Sequence, residues 1–164
     1  MKIKEEFKMI SENLKKIVSL IILNHREVFQ ESLTPMKLQK LCYYVQGIYL
    51  ATHDGEALFE EDFEAWTYGP VIRALYDEYK DYGWKSIQEE FEFPELELEK
   101  IEFIKQIVEA YGRYDGAALA TMTHREDPWL DARKGLPETE GSNALIPKDS
   151  MQNFFERKLA AYVG

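Results

Sequence analysis

The run Leu33-Thr34-Pro35-Met36-Lys37-Leu38-Gln39-Lys40-Leu41-Cys42-Tyr43-Tyr44-Val45-Gln46-Gly47 decides the fold class. It reads as the opening of a helix. Thr34 can accept from a free N–H of the first turn, and Pro35 suits the first helical position, where a missing N–H breaks no bond. Leu38, Leu41, Cys42, Val45, Ile48 and Tyr49 recur at spacings of three and four and predict a buried stripe. Tyr44 is expected on the outer side, available to a partner. Gly47 costs a helix about 1 kcal/mol relative to Ala, which predicts the close approach of another backbone. Cys42 sits on the stripe and reads as a small buried hydrophobe. His53-Asp54-Gly55 stops the helix, because Gly tolerates the left-handed conformation past a helix end.

The same period continues on both sides. Phe7, Ile10, Leu14, Ile17 and Ile21 share one face of a first helix from about Glu5 to His25. Downstream, Phe63 to Tyr68 alternates in part and predicts a short strand. Gly69-Pro70 is then expected to turn the chain into a third helix with Val71, Ile72, Leu75, Tyr76 and Tyr79 inward. A fourth helix buries Leu98, Ile101, Ile104, Val108 and Tyr111 and ends at Gly112. Asp115 caps a fifth through Thr123, and Asp127-Pro128 opens a sixth that Lys134-Gly135 closes. Asp149 with Gln152 has the spacing of a capping box for the last helix, which buries Met151, Phe154, Phe155, Leu159 and Tyr162. A second strand is expected around Ala144 to Ile146. The expected fold is mainly α, a single helical domain with a small β element (short strand or hairpin).

The chain has 164 residues, which fits one domain with one core. Its formal charge is −10. That field repels the phosphate backbone, which disfavours nucleic acid as a partner, and it favours attraction to a basic protein surface. The single cysteine rules out a disulfide framework or a four-cysteine zinc site within one chain. A reducing cytoplasm is the expected compartment. The longest apolar run near the start, Ile17 to Leu23, is far short of the roughly 20 residues a bilayer span needs, and acidic residues precede it. No membrane association and no cofactor are expected.

Two segments carry chemical side chains. Tyr68-Gly69-Pro70 either presents Trp66 and Tyr68 to a partner or is a tight corner with Trp66 packed inside. In His124-Arg125-Glu126-Asp127-Pro128-Trp129, His124 with Glu126 or Asp127 has the residue types of a metal site or an acid–base pair. The spacing matches no established zinc pattern. The other reading has Asp127 as a cap, Pro128 as a helix start, Trp129 in the core and His124 hydrogen-bonded nearby. His25 and His53 are assigned to helix ends.

Three blocks stand out in order. They are Leu33 to Gly47; Leu58-Phe59 with Phe63-Glu64-Ala65-Trp66-Thr67-Tyr68-Gly69-Pro70-Val71-Ile72; and Leu119 with His124 to Trp129 and Ala132-Arg133. Together they resemble the Panacea domain of the SocA-like antitoxins, a phage-associated family. The resemblance covers about Leu33 to Lys158. It departs at Cys42, where an aliphatic residue is common, and after Ile72, where Arg73-Ala74 stands in the place of an often-expected proline.

The resemblance implies the antitoxin of a toxin–antitoxin system. Such a protein binds and neutralises a cognate toxin without catalysis, and one branch delivers its toxin to an AAA+ protease. It divides the chain into 1–32, an N-terminal helix expected to be partner-specific, and 33–164, the Panacea domain. Toxin-binding candidates are Tyr44, Trp66, Tyr68 and the acidic Glu60, Glu61 and Asp62. Gly69, Pro70, His124, Asp127, Pro128 and Trp129 are assigned to the scaffold. The first helix or the acidic loops are further places for contact. Two rivals are a metal-dependent hydrolase using His124 and nearby carboxylates, and a phage DNA-binding regulator.

Overall fold

The computed structural model describes residues 9–163. Glu5, Glu6, Phe7 and Lys8 of the expected first helix lie outside them. The described helices are α1 (Glu12–Phe29), α2 (Pro35–Thr52), α3 (Arg73–Tyr79), α4 (Leu98–Tyr111), α5 (Gly116–Thr123), α6 (Asp127–Arg133) and α7 (Lys148–Val163). A 3-10 turn spans Lys80–Tyr82. The strands are β1 (Phe63–Trp66), β2 (Gly69–Val71) and β3 (Leu145–Ile146). The fold is mainly α with a small β element, as the sequence predicts.

Helix α2 begins where the threonine–proline pair places it. Thr34 is extended, and its Oγ1 accepts from the Lys37 N–H at 3.2 Å. The expected stripe is correct as far as it goes, but every residue from Leu38 to Leu50 is buried. Helices α1, α3, α4, α5 and α7 and strand β2 all pack against α2. A helix surrounded in this way has no solvent face. Gly47 accommodates the ring of Phe155 on α7, so the close neighbour is a side chain and not a backbone.

Ser11 caps α1, accepting from the Leu14 N–H at 3.1 Å. The helix runs past His25 to Phe29 and ends where Gln30 turns left-handed (φ 63°). His25 is therefore an interior, buried residue rather than a helix end. Leu14, Ile17, Val18, Leu20, Ile21 and Ile22 bury α1 against α4 and α2.

The sheet has the order β2-β1-β3, antiparallel throughout. Trp66 pairs with Gly69, which leaves Thr67-Tyr68 as a two-residue hairpin loop. Gly69-Pro70 thus corrects the sequence reading: it opens an edge strand, and α3 waits until Arg73. An edge position tolerates Pro70, whose missing N–H interrupts no ladder.

Smaller corrections concern exposure and helix starts. Leu98 and Tyr162 are exposed at the ends of α4 and α7, and Tyr76 is 41% exposed on α3. Asp115 caps α5 as expected, accepting from the Ala118 N–H at 2.8 Å. Glu126, not Asp127, is the residue preceding α6. Helix α7 starts at Lys148, so Asp149 lies inside its first turn and Gln152 donates to Glu156 at 3.0 Å instead of closing a capping box.

Candidate functional site

Two glutamines on α2 lie seven residues apart and do the same job. Gln39 donates to the Ile72 carbonyl at 3.0 Å and accepts from the Ile72 N–H at 2.8 Å. Gln46 donates to the Phe59 carbonyl at 2.8 Å and accepts from the Leu58 N–H at 2.8 Å. Each buried amide therefore satisfies two main-chain groups that would otherwise be stranded away from water.

Helix α6 holds the middle strand in the same manner. Trp129 Nε1 donates to the Trp66 carbonyl at 2.7 Å, and Arg133 Nη1 donates to the Ala65 carbonyl at 2.9 Å. Arg133 also reaches the carbonyls of Pro137 and Glu140, and its guanidinium lies 4.6 Å over the Trp129 ring. Pro128 and Trp129 are buried and belong to this scaffold.

The hairpin carried by these bonds borders a groove of about 420 Å³. Trp66 lines it half-buried, with Nε1 donating to Glu64 at 2.7 Å, Arg73 at 5.0 Å from its ring and Tyr76 edge-on at 5.0 Å. Tyr68 at the hairpin tip is 63% exposed, and Trp84 after the 3-10 turn is 79% exposed. Leu38, Val71, Leu75 and Lys40 also line the groove.

Lys40 is 1% exposed, and its Nζ donates to the Pro70 carbonyl at 3.3 Å. Burial lowers its pKa to about 7. Gly69 (φ 114°) fits over it: a Cβ there would lie 2.8 Å from both Lys40 Cε and Thr123 Oγ1. The positive φ and the lack of space both require glycine.

Tyr44, expected on the outside, is fully buried because α4 and α7 close over that side of α2. Its ring stacks on Tyr111 at 4.3 Å, and its hydroxyl donates to Glu126 at 2.9 Å. Lys158 Nζ lies 3.7 Å from the same carboxylate. Burial outweighs that cation and raises the Glu126 pKa to about 6.

The acidic trio is engaged within the chain. Glu61 accepts from the Ser11 N–H at 2.6 Å and the Ser11 hydroxyl at 2.9 Å. Glu60 accepts from Asn13 at 3.1 Å, which holds its pKa down. Asp62 pairs with Lys148 at 2.7 Å. These residues tie the start of α1 to the start of α7.

The segment from His124 to Asp127 is adjacent in sequence but points in three directions. The His124 ring stacks on Trp129 at 4.2 Å, with Nδ1 3.7 Å from Glu138. Burial lowers its pKa. Glu126 turns to Tyr44, and Asp127 pairs with Arg157 at 2.8 Å. Among the described residues, no three His, Cys, Asp or Glu side chains form a group that could hold a metal ion. Cys42 is buried, and burial, with Glu61 adding, pushes its thiol pKa well up.

Sequence reasoning missed Trp84, the exposure of Tyr76 and the position of Lys40. Trp84 carried a signal, since it follows Asp81-Tyr82-Gly83 and fits no apolar period. Lys40 did not, because nothing in the spacing tells a buried lysine from a solvated one.

Among the described residues, no helix is long and apolar enough to cross a membrane. Comparison with curated proteins and with solved structures gives no match. A family model described as "Antitoxin SocA-like, Panacea domain" matches residues 38–130. That span takes in most of α2, the hairpin, the greater part of the groove lining and the start of α6.

Proposed function

The chain belongs to the family of SocA-like antitoxins with a Panacea domain, and from that membership we propose that it binds and neutralises a cognate protein toxin through the aromatic rim of the groove. One observation carries the reading: Tyr68, Tyr76 and Trp84 are all exposed, and all border the same groove. Tryptophan and tyrosine are the commonest anchors of protein interfaces, because each buries a large rigid surface and keeps a polar handle. None of the three is needed to close the core.

Trp66 and Tyr68 remain contact candidates in this reading, and Tyr44 does not. Glu60 and Asp62 are secondary, since a partner would compete with Asn13 and Lys148 for them. Their charge, within a chain of net −10, would mainly speed the approach of a basic toxin. Segment 1–32 lies outside the matched residues and is proposed as the partner-specific part.

The test is co-expression with the product of the neighbouring gene. The wild-type chain is expected to restore growth, and the double variant Tyr68→Ala/Trp84→Ala to fail while keeping its unfolding midpoint. Full neutralisation by the double variant would remove the groove from the contact. A harmless neighbour would remove the antitoxin reading for this pair. Toxin loss that depends on both this chain and an AAA+ protease would place it in the adaptor branch.

A further inference from the structure

The groove holds an ionic feature at odds with the rest of the chain. Net charge is −10, yet its charged lining residues are Lys40 and Lys80, with no Asp or Glu between them. Lys80 has Asp77 at 3.7 Å. Lys40 has three donors and one acceptor, the Pro70 carbonyl at 3.3 Å. Among the described residues it has no carboxylate partner, and burial alone governs its proton affinity. The missing side chain at Gly69 leaves room for its Cε beneath the hairpin.

We propose that the groove takes an apolar, carboxylate-bearing segment of the bound toxin, whose carboxylate accepts from the Lys40 ammonium while its apolar neighbour lies against Trp66, Tyr76 and Trp84. This rests on the toxin-binding reading above. A buried cation without a counter-charge is costly, and an arriving carboxylate removes that cost while gaining a charge-assisted hydrogen bond. A phosphate suits the groove less well. It would bring up to two charges to walls made largely of aromatic rings, where unpaired oxygens are penalised.

Other charged groups set the pH behaviour. His124 feels the field of both Lys40 and Arg133, and its Nδ1 lies 3.7 Å from Glu138. Burial lowers the His124 pKa below its usual range, which leaves the ring neutral above pH 7. Lys40 therefore dominates the change between pH 7 and 9. Its ammonium form declines as pH rises through about 7, so binding of a carboxylate above that pH takes up a proton.

The experiment uses the full chain and two probes, 3-phenylpropionate and its uncharged amide, read by tryptophan fluorescence. At pH 6.5 the acid is expected to bind at least about tenfold tighter than the amide. The preference narrows towards pH 9. In Lys40→Met it disappears while amide affinity persists. Equal binding of acid and amide by the wild-type chain overturns the proposal, as does failure to bind either probe or a preference that survives Lys40→Met. The probe comparison needs no variant, so it stands even where Lys40→Met misfolds. It is also independent of growth rescue: an antitoxin that needs Tyr68 and Trp84 but shows no acid preference keeps the groove and loses the carboxylate.

Discussion

Trp129 and Trp84 both stand close to the hairpin, yet one is 1% exposed and the other 79%. Trp129 lies beneath the strand and spends its N–H on the Trp66 carbonyl. Trp84 stands at the groove rim and packs into no core. The same contrast runs through the molecule. On the inner side, Gln39, Gln46, Tyr44 and Arg133 are each committed to a defined partner. On the outer side, Tyr68, Tyr76 and Trp84 present apolar surface to water. The inner set fixes where the hairpin stands, and the outer set is the surface proposed to meet a partner.

The contrast breaks most visibly at Trp129. Trp129→Ala is expected to cost about 3–5 kcal/mol in chemical denaturation, from lost packing plus a stranded carbonyl. A loss below about 1 kcal/mol would mean the inner region is not the scaffold described here. Gln46→Leu comes next. It leaves the Leu58 N–H and the Phe59 carbonyl buried without partners, at a cost of about 2–4 kcal/mol. Gln39→Leu should match it, because it likewise strands one N–H and one carbonyl, both of Ile72; unequal losses would rank the two clamps.

The third test uses pH. The native Glu126 pKa is raised to about 6 against an ordinary value of 4.5. The folded state therefore holds this proton more tightly than the unfolded chain does. The stabilisation is complete below pH 4.5 and is lost as pH rises through 6, a swing of about 2 kcal/mol. Glu126→Gln should flatten stability across that window, as followed by urea midpoints. The smallest effect belongs outside: Trp84→Ala should shift stability by less than about 0.5 kcal/mol, while weakening toxin neutralisation. A large stability loss there would erase the distinction between the two regions.

Much of the inner region was legible in the sequence. Thr34-Pro35 and Asp115 mark helix starts through local chemistry, and Leu38, Leu41, Val45 and Ile48 mark burial through their period. Tyr44 was misread because periodicity reports one apolar face, and α2 is enclosed on all of them. Gly69-Pro70 was misread because proline serves a helix start and an edge strand equally well, and only pairing with β1 decides. The outer region was barely legible. An aromatic on a helix has the same spacing whether a neighbour covers it or not, as Tyr76 in the middle of α3 and Tyr162 at the end of α7 demonstrate. The cation under the hairpin depends on contacts between residues about thirty positions apart, which no local pattern encodes.

The clamps at Gln39, Gln46, Trp129 and Arg133 share a property with a consequence of its own. All of them bind peptide groups, at Ile72, Leu58, Phe59, Trp66 and Ala65. A peptide group is the same at every position. The grip is therefore indifferent to which side chains the gripped segments carry, provided none is a proline where an N–H is needed. Substitutions on the outward side of the hairpin can accumulate without disturbing how it is held. A chain built this way can change its partner through a few surface replacements and keep its architecture.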